Sequence, residues 1–188
     1  MDINCKEVQE TMDWLSSISD AEGPGTTRLL YSDSWLRAQQ ELKARFEALG
    51  MECHFDAVGN LYGTLPGTEE PEKTIATGSH VDTVVKGGKL DGQLGIFGGY
   101  LAVRHLLETH GKPKKSLQII SMAEEEGSRF PYVFWGSKNI FGLAKKEEVE
   151  GLRDAEGVLF TDAMRGCGFD FAESYKERTD IEAFIELH

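Results

Sequence analysis

Four polar clusters among the 188 residues each follow an apolar stretch. The first is Gly78-Ser79-His80-Val81-Asp82-Thr83. His80 and Asp82 are two positions apart, so on extended backbone both side chains point to the same face. A metal-bound imidazole whose other nitrogen is oriented by a carboxylate needs this arrangement. An isolated His-x-Asp is equally the mark of a solvated strand exit. The second cluster is Gly87-Gly88-Lys89-Leu90-Asp91-Gly92-Gln93-Leu94-Gly95. Asp91 reads either as the N-cap of the helix that follows or as a carboxylate bridging two metal ions, with glycines that let the backbone approach closely. The third is Ala123-Glu124-Glu125-Glu126-Gly127-Ser128, directly after the apolar run 117–122. Three consecutive acids repel one another unless a cation lies among them. A run of glutamates is often just a solvated face, but a buried strand feeding it weakens that reading. The functional reading gives one Glu to a metal and its neighbour to general-base work on water. The fourth cluster is His188, after Glu186 and the apolar run ending at Leu187.

Each cluster is weak alone. Together, histidine, aspartate, glutamate and histidine at four strand ends form a mixed nitrogen and oxygen set suited to zinc, manganese or cobalt. Two ions sharing Asp91 would polarise a substrate carbonyl and lower the pKa of the attacking water. His54, His105 and His110 carry weaker cases and read as structural or surface residues.

The elements that must position these groups follow from periodicity. Val8, Met12, Leu15 and Ile18 recur at helical spacing, which predicts a helix from Asn4 to Ile18. Residues 20–27 form a Gly- and Pro-bearing loop. Ser32 or Asp33 can cap a second helix with Leu36, Leu42, Phe46 and Leu49 on its apolar face, and Gly50 stands at its C-terminal end. Residues 51–55 and 61–65 flank Gly59-Asn60 as a hairpin. A short β-branched strand is expected over 74–78, a helix over 93–108, and a strand over 117–122. Short helices are expected over 136–143, 147–152 and 158–167, and a last strand over 181–187. Alternation of strands and helices predicts an α/β sandwich with a largely parallel or mixed sheet, whose strand ends are where such folds place their sites.

Composition bounds the function. A chain of this length is about one domain, and 40% hydrophobic with 28% charged residues is ordinary for a globular protein. The 32 acids against 20 bases give a net charge of −12, which argues against a nucleic-acid surface and against anionic lipid. No stretch reaches the roughly 20 apolar residues of a membrane span, and residues 1–16 carry too many charges for an export signal. Cys5, Cys53 and Cys167 are odd in number and widely spaced, as free thiols in a reducing cytoplasm would be. The abrupt stop after an apolar strand suggests a cut through a larger protein.

The motifs His80-Val81-Asp82-Thr83, Leu90-Asp91-Gly92, Glu125-Glu126-Gly127 and Glu186-Leu187-His188 resemble the M20 metallopeptidase superfamily. They are most similar to its hydantoinase/carbamoylase branch of N-carbamoyl-amino-acid hydrolases, β-ureidopropionases and allantoate amidohydrolases. The runs 27–32 and 122–142 resemble the allantoate-hydrolysing members in particular. The resemblance implies a three-layer aminopeptidase-like α/β sandwich with a mixed sheet, of which residues 1–188 would be the N-terminal part of a dinuclear catalytic domain. By the same resemblance His80, Asp91 and His188 would bind one metal ion, with Asp91 bridging, and Glu126 the second. Glu125 would be the general base and Asp82 would orient His80. The ions would be Mn2+ or Zn2+. Asp91-Gly92 is a candidate cis peptide. The implied reaction is hydrolysis of allantoate to ureidoglycine, ammonia and carbon dioxide in purine degradation, in a cytoplasmic homodimer formed through a lid domain outside this chain. N-carbamoyl-L-amino-acid hydrolysis is the alternative within enzymes. An inactive truncated fragment is the alternative outside them.

Overall fold

Leu61, Ile119 and Val81 on one side and Tyr62, Ala76, Ile120 and Met122 on the other belong to two separate buried clusters. That period-two alternation is what a sheet covered on both faces requires. The computed structural model describes residues 5–172 and 178–188. It contains a five-stranded mixed sheet of β1 (Glu52–Phe55), β2 (Leu61–Leu65), β3 (Glu70–His80), β4 (Lys115–Met122) and β5 (Ile181–Ile185), in the order β1-β2-β4-β3-β5. The β1–β2 hairpin joins β4 antiparallel, whereas β3 runs parallel to both β4 and β5. The fold is the expected α/β sandwich with a mixed sheet.

Helices α1 (Cys5–Ser17), α2 (Asp33–Ala48) and α3 (Gln93–His110) bury their apolar stripes with the first cluster. In α2 the stripe is Trp35, Ala38, Leu42 and Phe46, all 0–1% exposed. Ser32 caps it, its hydroxyl accepting from the Trp35 amide at 3.3 Å. Gly50 follows at φ 84°, the left-handed value that ends a helix cheaply only with glycine. Against the other face lies α4 (Trp135–Ile140), which contributes Ile140 to the second cluster. A last helix, α5 (Phe160–Gly166), packs Phe160 into the first. Among the described residues no helix is long and apolar enough to cross a membrane.

Several boundaries differ from the sequence expectation. Asn4 lies outside the described residues. β3 is longer than expected because its first half, Glu70 to Lys73, is polar and carries no periodic signal. The helix expected over 147–152 is only a 3-10 turn at Lys146–Glu148, none of whose three residues is buried; Val149, just after it, is the buried anchor of this segment.

β3 and β4 end level, with His80 paired to Met122. The parallel strands therefore deliver His80, Glu124 to Glu126, and the segment after β5 to one end of the sheet.

Candidate metal centre

His80 is fully buried at the end of β3. Its Nδ1 lies 3.1 Å from Asp82 Oδ1, which is 1% exposed, so the solvated-exit reading does not hold. The other nitrogen, Nε2, faces His188 Nε2 at 3.2 Å and Asp91 Oδ1 at 3.9 Å. His188 Nε2 is itself 3.6 Å from the same Asp91 oxygen. Ligands about 2.1 Å from a tetrahedral ion stand about 3.4 Å from one another, so this N, N, O triangle has the right span. Glu125 and Glu126 form a second triad with His80, with all ligand atoms within 4.8 Å of one another. The two triads share His80, and Asp82 meets the same ring at Nδ1, so the residues singled out for the site are grouped around His80. His54, by contrast, stacks on Tyr62 at 5.0 Å away from it.

Asp91 is not the cap of α3. Gly92 occupies that place at φ 64° with no side-chain cap bond, leaving the Asp91 carboxylate for the pocket. The Asp91–Gly92 peptide is trans, against the cis expectation; the positive φ of Gly92 makes the turn instead. A Cβ at Gly92 would lie 2.4 Å from His80 Nε2, so only glycine leaves that nitrogen accessible.

The charges suit a divalent cation. Burial disfavours the His80 imidazolium, yet the hydrogen bond and charge of Asp82, with Glu125 and Glu126 beyond, raise its pKa to about 9. Glu126 is pushed up to about 7 by burial and by Asp91 and Asp82, against the pull of His80. Glu124 is raised to about 8 by burial and by the charge of Asp82, with backbone hydrogen bonds opposing. Of the two, Glu126 stands beside Asp91 and His80, where a divalent ion would relieve the crowding of acids. The residues present therefore fit a divalent metal.

The supporting frame was only partly visible in the sequence. Asp82 does more than orient His80: its two oxygens accept the amides of Glu125 at 3.0 Å and Glu126 at 3.2 Å. Arg28 is wholly buried; its Nε donates to the Val81 carbonyl at 2.7 Å and its Nη1 to the carbonyls of Leu15 and Ile18. Burial lowers its pKa to about 10. Trp35 Nε1 donates to the Ala123 carbonyl at 2.7 Å, and Asn60 Oδ1 accepts the Ala123 amide at 2.8 Å. An arginine set among apolar residues, as in Arg28-Leu29-Leu30-Tyr31, is the one signal that could have revealed this frame.

Comparison with known proteins gives the family. A family model described as peptidase family M28 matches residues 60–187. The chain is 53% identical to allantoate amidohydrolase of Escherichia coli (strain K12), covering 96% of this chain and 44% of that protein. It is 44% identical to allantoate amidohydrolase of Bacillus subtilis (strain 168), with the same coverage of each. Among solved structures, a hydantoinase/carbamoylase family amidase from Burkholderia phymatum superimposes with a TM-score of 0.84 at 29% identity, covering 98% of this chain and 45% of that one. The fold and site define a member of the metallopeptidase-like α/β proteins. The chain belongs to peptidase family M28. The matching model carries the M28 rather than the M20 name, while the similar full-length proteins lie in the amidohydrolase branch that the motifs indicate. The chain spans 44% of the length of the relatives it matches.

Proposed function

We propose that residues 1–188 form the N-terminal part of the dinuclear metal-binding catalytic domain of an allantoate amidohydrolase. Its lid and dimerisation domain and the C-terminal part of the catalytic domain lie outside this chain. The observation that carries the reading is the pair of ligand triads, His80 with Asp91 and His188 and His80 with Glu125 and Glu126, that share the buried His80. The substrate rests on the names of the two relatives at 53% and 44% identity.

On this reading His80, Asp91 and His188 hold one divalent ion and Glu126 contributes to a second, with Mn2+ or Zn2+ as the occupants. Bound metal supplies Lewis-acid polarisation of the scissile carbonyl. Glu125 takes a proton from the attacking water and returns it to the leaving nitrogen as the C–N bond breaks. Asp82 keeps the His80 ring in place through Nδ1 and holds the backbone of both glutamates. Hydrolysis of allantoate yields ureidoglycine, ammonia and carbon dioxide, a step in purine (allantoin) degradation. We place the protein in the cytoplasm, as a homodimer. The free thiols Cys5, Cys53 and Cys167 accord with that compartment.

The test uses the full-length protein loaded with Mn2+. Wild type releases ammonia from allantoate, and Glu125→Gln lowers kcat about 100- to 10,000-fold while metal content per chain is retained. Full activity in Glu125→Gln refutes that role. A second reading, N-carbamoyl-L-amino-acid hydrolysis, is favoured by the likeness to the hydantoinase/carbamoylase amidase. It prevails if only a carbamoyl amino acid is cleaved. Absence of turnover on both substrates, with metal bound, leaves an inactive remnant.

A further inference from the structure

Glu124 is an acid for which the chemistry above has no use, yet it is 2% exposed. Its carboxylate neither joins the pocket triads nor meets a cation. Instead one oxygen accepts the Trp135 amide at 2.9 Å and the other accepts the Gly127 amide in a short hydrogen bond. Its own carbonyl accepts the Gly136 amide at 3.1 Å, and the next carbonyl, that of Glu125, accepts the Phe134 amide at 3.2 Å. Glu124 therefore closes the loop 127–135 onto the strand end from one side, as Asp82 grips the amides of Glu125 and Glu126 from the other. The far end of this clasp is rigid. Trp135 is fully buried and donates through Nε1 to Tyr31 Oη at 2.9 Å. Gly136 has no room for a side chain, since a Cβ would lie 2.8 Å from Asn60 Oδ1 and 2.9 Å from the Ala123 amide nitrogen. At its near end Phe134 adopts φ 65°, a costly value for an aromatic residue that persists only where the surroundings impose it.

We propose that Glu124 is a positioning residue: its carboxylate, by bridging the amides of Gly127 and Trp135, sets the direction of the Glu125 and Glu126 side chains toward the pocket. The inference rests on the amidohydrolase reading given above for Glu125. It explains why three acids stand in a row. The first is turned inward to backbone amides so that the next two can face the metal pocket, and its burial is tolerated because both oxygens are hydrogen-bonded.

Glu124→Gln tests this. The substitution keeps the shape but puts an NH2 against one of the two amide N–H groups, so one hydrogen bond is lost and a donor faces a donor. In the full-length protein saturated with Mn2+, kcat falls about 10- to 100-fold because a misplaced base loses most of its advantage. KM stays within threefold, since Glu124 touches no substrate, and amide exchange at Gly127 and Trp135 accelerates. Mn2+ affinity falls about fivefold, because Glu126 rides on the same turn. A folded Glu124→Gln protein whose amides exchange faster but whose kcat stays within twofold of wild type overturns the proposal, because Glu124 is then only structural. Unchanged exchange overturns it as well. If Glu124→Gln does not fold, Glu124→Asp, which keeps the carboxyl group and withdraws its oxygens by one methylene, is read by the same criteria. Wild type and Glu125→Gln report separately on the amidohydrolase reading. Should wild type cleave neither substrate, that reading fails, and the clamp then stands or falls on the loss of Mn2+ affinity in Glu124→Gln.

Discussion

At the scale of single residues, Asp82 makes the most connections within the site. It accepts from the His80 ring and from two backbone amides of the acidic turn, so it couples the end of β3 to the end of β4. Asp82→Asn replaces one accepting oxygen with a donor, which must face either the imidazole or an amide. Outer hydrogen-bond partners of metal ligands typically account for 10- to 100-fold in affinity. Mn2+ binding measured by titration calorimetry is expected to weaken by about that factor in Asp82→Asn, with the chain still folded; unchanged affinity would show that His80 needs no orienting partner. The residues of the site were legible because their types are chemically unusual at strand ends: His80 with Asp82, Asp91 among glycines, and Glu125 with Glu126. Glu124 was legible only as part of a run. Its inward turn depends on Trp135 and Gly127, and no local pattern reports a contact eleven residues away. Asn60 was silent for the same reason and Arg28 was marked only by its apolar neighbours, since their partners at Ala123 and Val81 are more than fifty residues distant.

At the scale of elements, the site depends on where β5 lies, because that strand leads to His188. The strand itself is largely exposed, and much of its attachment comes from residues just before it. Through its carbonyl Asp180 accepts the Thr74 amide at 2.8 Å. Its carboxylate accepts from the Thr74 hydroxyl at 2.9 Å and from both Nε and Nη2 of Arg178. The Arg178 hydrogen bonds, foremost, hold the Asp180 pKa down at about 2, below its ordinary 3.8. A depressed carboxylate stabilises the folded state above its unfolded pKa, and that contribution disappears as the pH falls through the folded value. The seating of β5 is therefore expected to weaken between about pH 4 and pH 2. Amide exchange within 181–185 should rise in that window in wild type and be high already at pH 7 in Asp180→Ala, where Mn2+ affinity also drops severalfold through His188. Equal exchange in the two proteins at pH 7 would show that β5 is held by its β3 ladder alone. β5 and its neighbours were readable from apolar runs, and the helices from their 3.6-residue stripes. The start of β3 was not, since Glu70 to Lys73 buries little and meets β4 only through Glu70, which pairs with Lys115 before the register shifts at Thr74.

At the scale of the whole molecule, two forces compete. The net charge of −12 keeps chains apart. Against it stands β5 at the end of the strand order, with its outer edge unpaired among the described residues and with Phe184, Ile185 and Leu187 exposed at 39%, 63% and 53%. An edge of this kind recruits a further strand unless charge or distortion blunts it. The charge repulsion reaches only about 8 Å at physiological salt, whereas strand pairing acts at contact. Salt should therefore shift the balance toward association of the 188-residue chain rather than away from it. Light scattering after gel filtration is expected to show the mean mass rising with concentration, and rising further when NaCl goes from 50 to about 500 mM. Ile185→Lys puts a charge at the end of the exposed edge strand, between Phe184 and Leu187, and should weaken self-association about tenfold or more, a change of about 1.4 kcal/mol. It should leave the melting temperature nearly unchanged, because Ile185 buries little in the folded chain. A concentration-independent mass for the wild type at both salts would mean that the acidic surface alone protects this edge. In that case the Ile185→Lys substitution would have nothing to suppress.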